Sequence, residues 1–88
     1  MHMNVPAPQS VLRRVWFVLS DGRGIGVTAA SELEARGLAE PVRTAYFAET
    51  RIVDAIWDVD LSTLDQNHVV PNMGPVVLRG VWYPRLNI

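Results

Sequence analysis

The chain has no cysteine, no lysine and no long apolar run among its 88 residues. Each absence closes off a class of function. Without cysteine there are no disulfides, no thiol nucleophile and no thiolate zinc site. Without lysine there is no Schiff-base chemistry, and all eight cationic side chains are arginine. Those arginines are scattered, only Arg13 and Arg14 are adjacent, and the net charge is −1. A basic face for nucleic acid is therefore not expected. No apolar segment approaches the ~20 residues that cross a bilayer, and MHMNVPAPQS carries no apolar signal core. A soluble cytoplasmic protein that binds neither nucleic acid nor membrane is the expectation, with no cofactor implied.

What is present is apolar surface. Hydrophobic residues make up 49% of the chain and charged residues 19%. A domain of this length buries only somewhat over ~60% of the surface its unfolded chain exposes. So much apolar side chain in so small an interior points to a partner, and a second copy of the same chain is the simplest one. Homodimerisation is the first functional expectation, with an unidentified protein partner or small ligand as other possibilities.

Residues 1–10 read as a flexible arm and 11–88 as one domain. VLRRVWFVLS, 11–20, is β-branched and aromatic on both faces and reads as a strand. Asp21-Gly22 is a hairpin signal, because the turn needs positive φ. IGVTAA, 25–30, is then the returning strand. Ser31-Glu32-Leu33-Glu34 matches a capping box and starts a helix over 31–40 that stops or restarts at Pro41. Residues 42–50 are ambiguous and lean to helix, with Tyr46 and Phe47 inward. Residues 52–60 alternate as a strand, with Val53, Ala55, Trp57 and Val59 opposite Asp54, Ile56, Asp58 and Asp60. A polar loop follows over 62–75, with Ser62 to Asp65 as one capped turn, and a last strand spans 76–83. The fold class is α+β: about four mostly antiparallel strands, with one or two helices packed on one face and a second copy partly covering the other.

The 62–75 loop concentrates the polar chemistry. Asp65, Asn67, His68 and Asn72, with Arg79 and Tyr83 from the following strand, form the candidate ligand or partner site. His68 beside Asp65 could act as a base oriented by a carboxylate, with Ser62 and Thr63 as nearby hydroxyls. No nucleophile elbow or oxyanion loop accompanies them, so no catalytic residue is assigned. Asp58-x-Asp60-x-Ser62 opens like a calcium loop. Thr63 then stands where the glycine belongs and Val69 where a bidentate glutamate would sit, so no metal site is assigned.

One local stretch resembles a known family. In VWFVLSDGRGIGVTAASELEARG the tetrad Arg23-Gly24-Ile25-Gly26, followed by ten residues and Gly37, is similar to the first strand, glycine turn and helix of short-chain dehydrogenases. The resemblance implies backbone amides at Gly24 and Gly26 approaching a dinucleotide pyrophosphate at a helix N-terminus. It covers about a quarter of the chain. Ser20 falls where the family has an earlier glycine, and a Tyr-x-x-x-Lys pair is impossible without lysine. A hairpin at Asp21-Gly22 with a capped helix at Ser31 is the rival account of the same glycines. The leading functional expectation is a non-catalytic binding or protein-interaction domain acting as a homodimer. The alternative is a small ligand-binding domain or minimal enzyme with its pocket at the 62–75 loop.

Overall fold

Residues 11–86 are described by a computed structural model. The expected arm at 1–10, with His2, lies outside the described residues. Strand β1 (Arg13–Leu19) turns at Asp21-Gly22, where Gly22 has φ 93°, into β2 (Gly24–Ala29). Helix α1 (Glu32–Tyr46) follows, then β3 (Ile52–Trp57) and, after a long connection, β4 (Gly80–Tyr83). The sheet order is β3-β1-β2-β4, and every pairing is antiparallel. The fold is α+β, with one helix on one face.

Alternation divides β1 and β2 between two faces. Val15, Phe17, Leu19, Ile25, Val27 and Ala29 face the helix and are fully buried. α1 meets them with Ala35, Ala39 and Val42 at i, i+4 and i+7, so small side chains let it approach closely. Its start is the capping box read from the sequence. Ser31 Oγ accepts from the Glu34 amide at 3.1 Å, and the Glu34 carboxylate accepts from the Ala30 amide at 2.8 Å.

Four sequence expectations need correction. The helix does not break at Pro41 but runs through it to Tyr46. Pro41 and Gly37 both lie on the exposed side, so the carbonyl that loses its N–H partner can turn to water. Residues 47–50 are not helical. Phe47 ends the helix and is buried, whereas Tyr46 is 61% exposed rather than inward. In β3, Ala55 and Trp57 pack on the helix-side core and Ile56, 45% exposed, lies on the other face as the alternation places them, but Ile52 packs on the core where Val53 was expected, and Val53 is 53% exposed. The cause is a bulge. Leu19 pairs with Ile52 and Val18 with Asp54, so Val53 is an extra residue that shifts the phase of the strand. The strand ends at Asp58, which has φ 55°. The last strand is four residues rather than eight. Before it, the Val76 carbonyl accepts the buried Thr28 hydroxyl at 2.6 Å instead of joining a ladder.

The connection between β3 and β4 lies across the sheet face opposite the helix. Val59, Leu64 and Trp82 form a second buried cluster there, flanked by Trp16, Val69, Met73 and Tyr83. Trp82 is 1% exposed. It fits because Gly26 lies beneath it, where an added Cβ would stand 2.3 Å from its ring. Gly24 makes the same room for Trp16. Much of the apolar surplus is thus taken up within the chain by a second, smaller core.

Candidate functional site

The connection orders itself through short-range polar contacts. Asp60 accepts the Ser62 amide at 3.0 Å and its hydroxyl at 2.8 Å, capping a single 3₁₀ turn over Leu61–Thr63. The cap is Asp60, two residues earlier than the Ser62 expected. The Thr63 hydroxyl donates to the Asp60 carbonyl at 2.6 Å. Gln66 donates to the Leu64 carbonyl at 2.8 Å, and Asn72 to the His68 carbonyl at 2.7 Å.

Asp65 is the centre of the next turn. Its Oδ1 accepts from the amides of Asn67 at 2.8 Å and His68 at 3.0 Å. Its Oδ2 lies 2.9 Å from Nδ1 of His68. The His68 bond is the main reason the Asp65 carboxyl is held below the usual carboxylate range, and the two amides add to it. A carboxylate in this setting only accepts, so Nδ1 of His68 carries the proton and Nε2 is left free.

Asp65 and His68 line a groove of about 470 Å³. Its walls are Trp16 and Tyr83, with ring centroids 5.5 Å apart, together with Leu64 and Val69. Gly22 and Gly24 also line it, with open space over Gly22 and the Trp16 ring lying against Gly24. Arg23 reaches the same rim but is committed: it pairs with Asp21 at 2.6 Å and stacks on Phe47 at 4.6 Å.

Three of the six site residues expected from the sequence therefore meet at one groove: Asp65, His68 and Tyr83. Asn72 is turned toward the His68 carbonyl and borders a different hollow beside Tyr83. Asn67 gives only its amide to Asp65. Arg79 is tied to Glu34 of α1 at 3.0 Å and does not line the groove. Trp16, Leu64 and Val69 were not singled out as site residues. The hairpin register places Trp16 opposite Gly26, and a tryptophan facing two glycines across a hairpin is the signal that marks a flat aromatic wall.

The groove offers binding more readily than reaction. Its aliphatic hydroxyl, on Thr63, is bonded to the Asp60 carbonyl, and the neighbouring Ser62 is bonded to Asp60. Among the described residues, no three metal-ligating side chains come together. Gly24 and Gly26 sit inside strand β2 beneath tryptophan rings. Three further strand residues, Val27 to Ala29, and the Ala30-Ser31 turn separate Gly26 from the helix start, so the glycines make no dinucleotide turn and the resemblance to short-chain dehydrogenases does not extend to three dimensions.

A second feature concerns the sheet. β3 is an edge strand, and its outer edge is partly blocked against strand addition. The Asp58 amide donates to the Arg14 carbonyl at 2.6 Å, and by alternation the backbone of Ala55 and Trp57 turns outward. The outward amide of Ala55 is taken by the Asp54 carboxylate at 2.8 Å, and the bulge at Val53 interrupts the rest. The side chains beside it are another matter: the connection leaves Ile56, Val53 and half-buried Val18 uncovered. Among the described residues, no helix is long and apolar enough to cross a membrane. No protein family model, curated protein or solved structure matches the chain.

Proposed function

We propose that the protein is a non-catalytic interaction domain that works as a homodimer, joined through the bare part of the sheet face at β1 and β3. The observation that carries this reading is the exposure of Ile56 and Val53, 45% and 53%, on a rigid strand of a domain that otherwise covers its sheet. Neighbouring apolar positions left open on a strand mark a contact surface more than a solvated one. The partly blocked edge argues for contact through side chains of the face rather than for a continuous sheet. A two-fold axis near Ile56 would set it against its own equivalent, with Val18 and Val53 around it.

Ile56→Asp tests the reading. Full burial of such a side chain is worth roughly 1.5–3 kcal/mol, and Ile56 is already about half covered, so each copy loses about 1 kcal/mol. Two copies lose about 2 kcal/mol, which is roughly a 30-fold rise in the dimer dissociation constant. Analytical ultracentrifugation should show the variant dissociating at correspondingly higher concentration, with an unchanged far-UV spectrum. Identical association of both proteins would remove the proposal.

A further inference from the structure

The groove between the β1–β2 turn and the β3–β4 connection has a composition that selects a ligand. Two aromatic rings, Trp16 and Tyr83, stand 5.5 Å apart at its wall, and Leu64 and Val69 complete an apolar lining. Its volume of about 470 Å³ falls within the range of ordinary small-molecule sites. At its rim Arg23 is paired with Asp21, and the Asp65 carboxylate is already occupied by the Nδ1–H of a neutral His68 and by the amides of Asn67 and His68. A charged ligand would find no free counter-charge there, so the complementary ligand is neutral. One directional group remains. His68 donates from Nδ1 to Asp65, which fixes the ring and leaves Nε2 as an acceptor in the neutral imidazole.

We propose that this groove is a binding site for a small, neutral aromatic molecule carrying a hydroxyl or N–H donor, its ring packed against Trp16 and Tyr83 and its donor directed to His68 Nε2. The groove adjoins the proposed dimer face, because Trp16 is the cross-strand neighbour of Ile56, and ligand binding that persists in Ile56→Asp separates this proposal from that of the dimer. Glycine at position 24 is part of the site because it lets the Trp16 ring lie flat against the strand, and glycine at position 22 leaves its side of the groove open.

The test is a ¹H–¹⁵N NMR titration of the full chain with phenol and indole, using toluene and cyclohexanol as controls. Phenol and indole should give saturable shifts at the Trp16 indole and across residues 63–69. Toluene, lacking the donor, should bind about fivefold more weakly, the worth of one ordinary hydrogen bond. Cyclohexanol, lacking the ring, should also bind more weakly. His68→Phe should abolish the preference for phenol over toluene while retaining toluene binding. Val69→Trp should fill the groove and eliminate binding. Thr63→Tyr, at the exposed rim, does the same if the first variant loses the dispersed spectrum of the folded protein. Shifts that fail to saturate, that lie elsewhere, or that survive both filling variants would overturn the proposal, as would equal affinity for phenol and toluene in the unaltered protein.

Discussion

Gly26→Ala should destabilise the protein, and the size of the effect can be worked from the packing. Gly26 is in ordinary strand conformation, so alanine meets no backbone objection. Replacing a strand glycine normally gains ~0.5–1 kcal/mol by removing backbone freedom. Here the new Cβ would stand 2.3 Å from Trp82 Cζ3, and ordinary contact requires the ring to retreat by about 1 Å. Trp82 is boxed in by Val59, Leu64 and their neighbours and has nowhere to go. Overpacking of this kind costs ~1–3 kcal/mol, leaving a net loss of about 1–2 kcal/mol. For a domain of this length that is a fall in Tm of roughly 5–15 °C, read by calorimetry or circular dichroism. Gly24→Ala makes an equally close approach to Trp16, yet Trp16 is only half buried and can swing toward the groove, so its loss should be smaller. In a Trp82→Leu background the Gly26 substitution should become neutral or stabilising. A Gly26→Ala protein as stable as the parent, or equal losses at both positions, would refute the view that the loop-side core is a tightly filled layer.

Two further substitutions follow from the same packing. Pro41→Ala restores an N–H in mid-helix at an exposed position. An interior proline costs a helix ~3 kcal/mol and returns up to ~1 through the unfolded chain, so a gain of about 2 kcal/mol in chemical denaturation is expected. Acid should weaken the fold in a defined direction. Asp65 is held below its ordinary range by His68 and the Asn67 and His68 amides, and Asp58 by Arg13. A carboxyl whose folded value is depressed stabilises above its unfolded value and loses that contribution as pH falls through the folded one. Stability should therefore be flat near neutrality and decline below about pH 4, with Asp58→Asn and Asp65→Asn each flattening the decline in a urea series.

Which parts of this fold could be read from the chain follows from how local their causes are. The Asp21-Gly22 turn and the Ser31 capping box are decided by residues within four positions of one another, and both form as read. Asp65 and His68, three apart, likewise meet as a local turn and bring their chemistry with them. The bulge at Val53 depends on how β3 aligns with Leu19 and Val18 of β1, Leu19 pairing with Ile52 33 residues away, and no alternation pattern carries that information. The shortened last strand depends on Thr28 capturing the Val76 carbonyl across the sheet, and Arg79 is drawn off by Glu34 on the helix. Tyr83 reaches the groove only because β4 lies beside β2, a neighbour relation fixed by the whole sheet order. The apolar surplus was legible as a quantity; that a 22-residue connection between β3 and β4 would absorb much of it was not.

The part of that surplus left bare on the sheet, Ile56 and Val53, is the basis of the functional proposal. Sedimentation equilibrium over micromolar to near-millimolar concentration addresses it directly. The account predicts a mass rising with concentration from 9.8 kDa toward twice that value in the parent protein, and a rise displaced to higher concentration in Ile56→Asp. A mass that stays at 9.8 kDa across the whole range would contradict it.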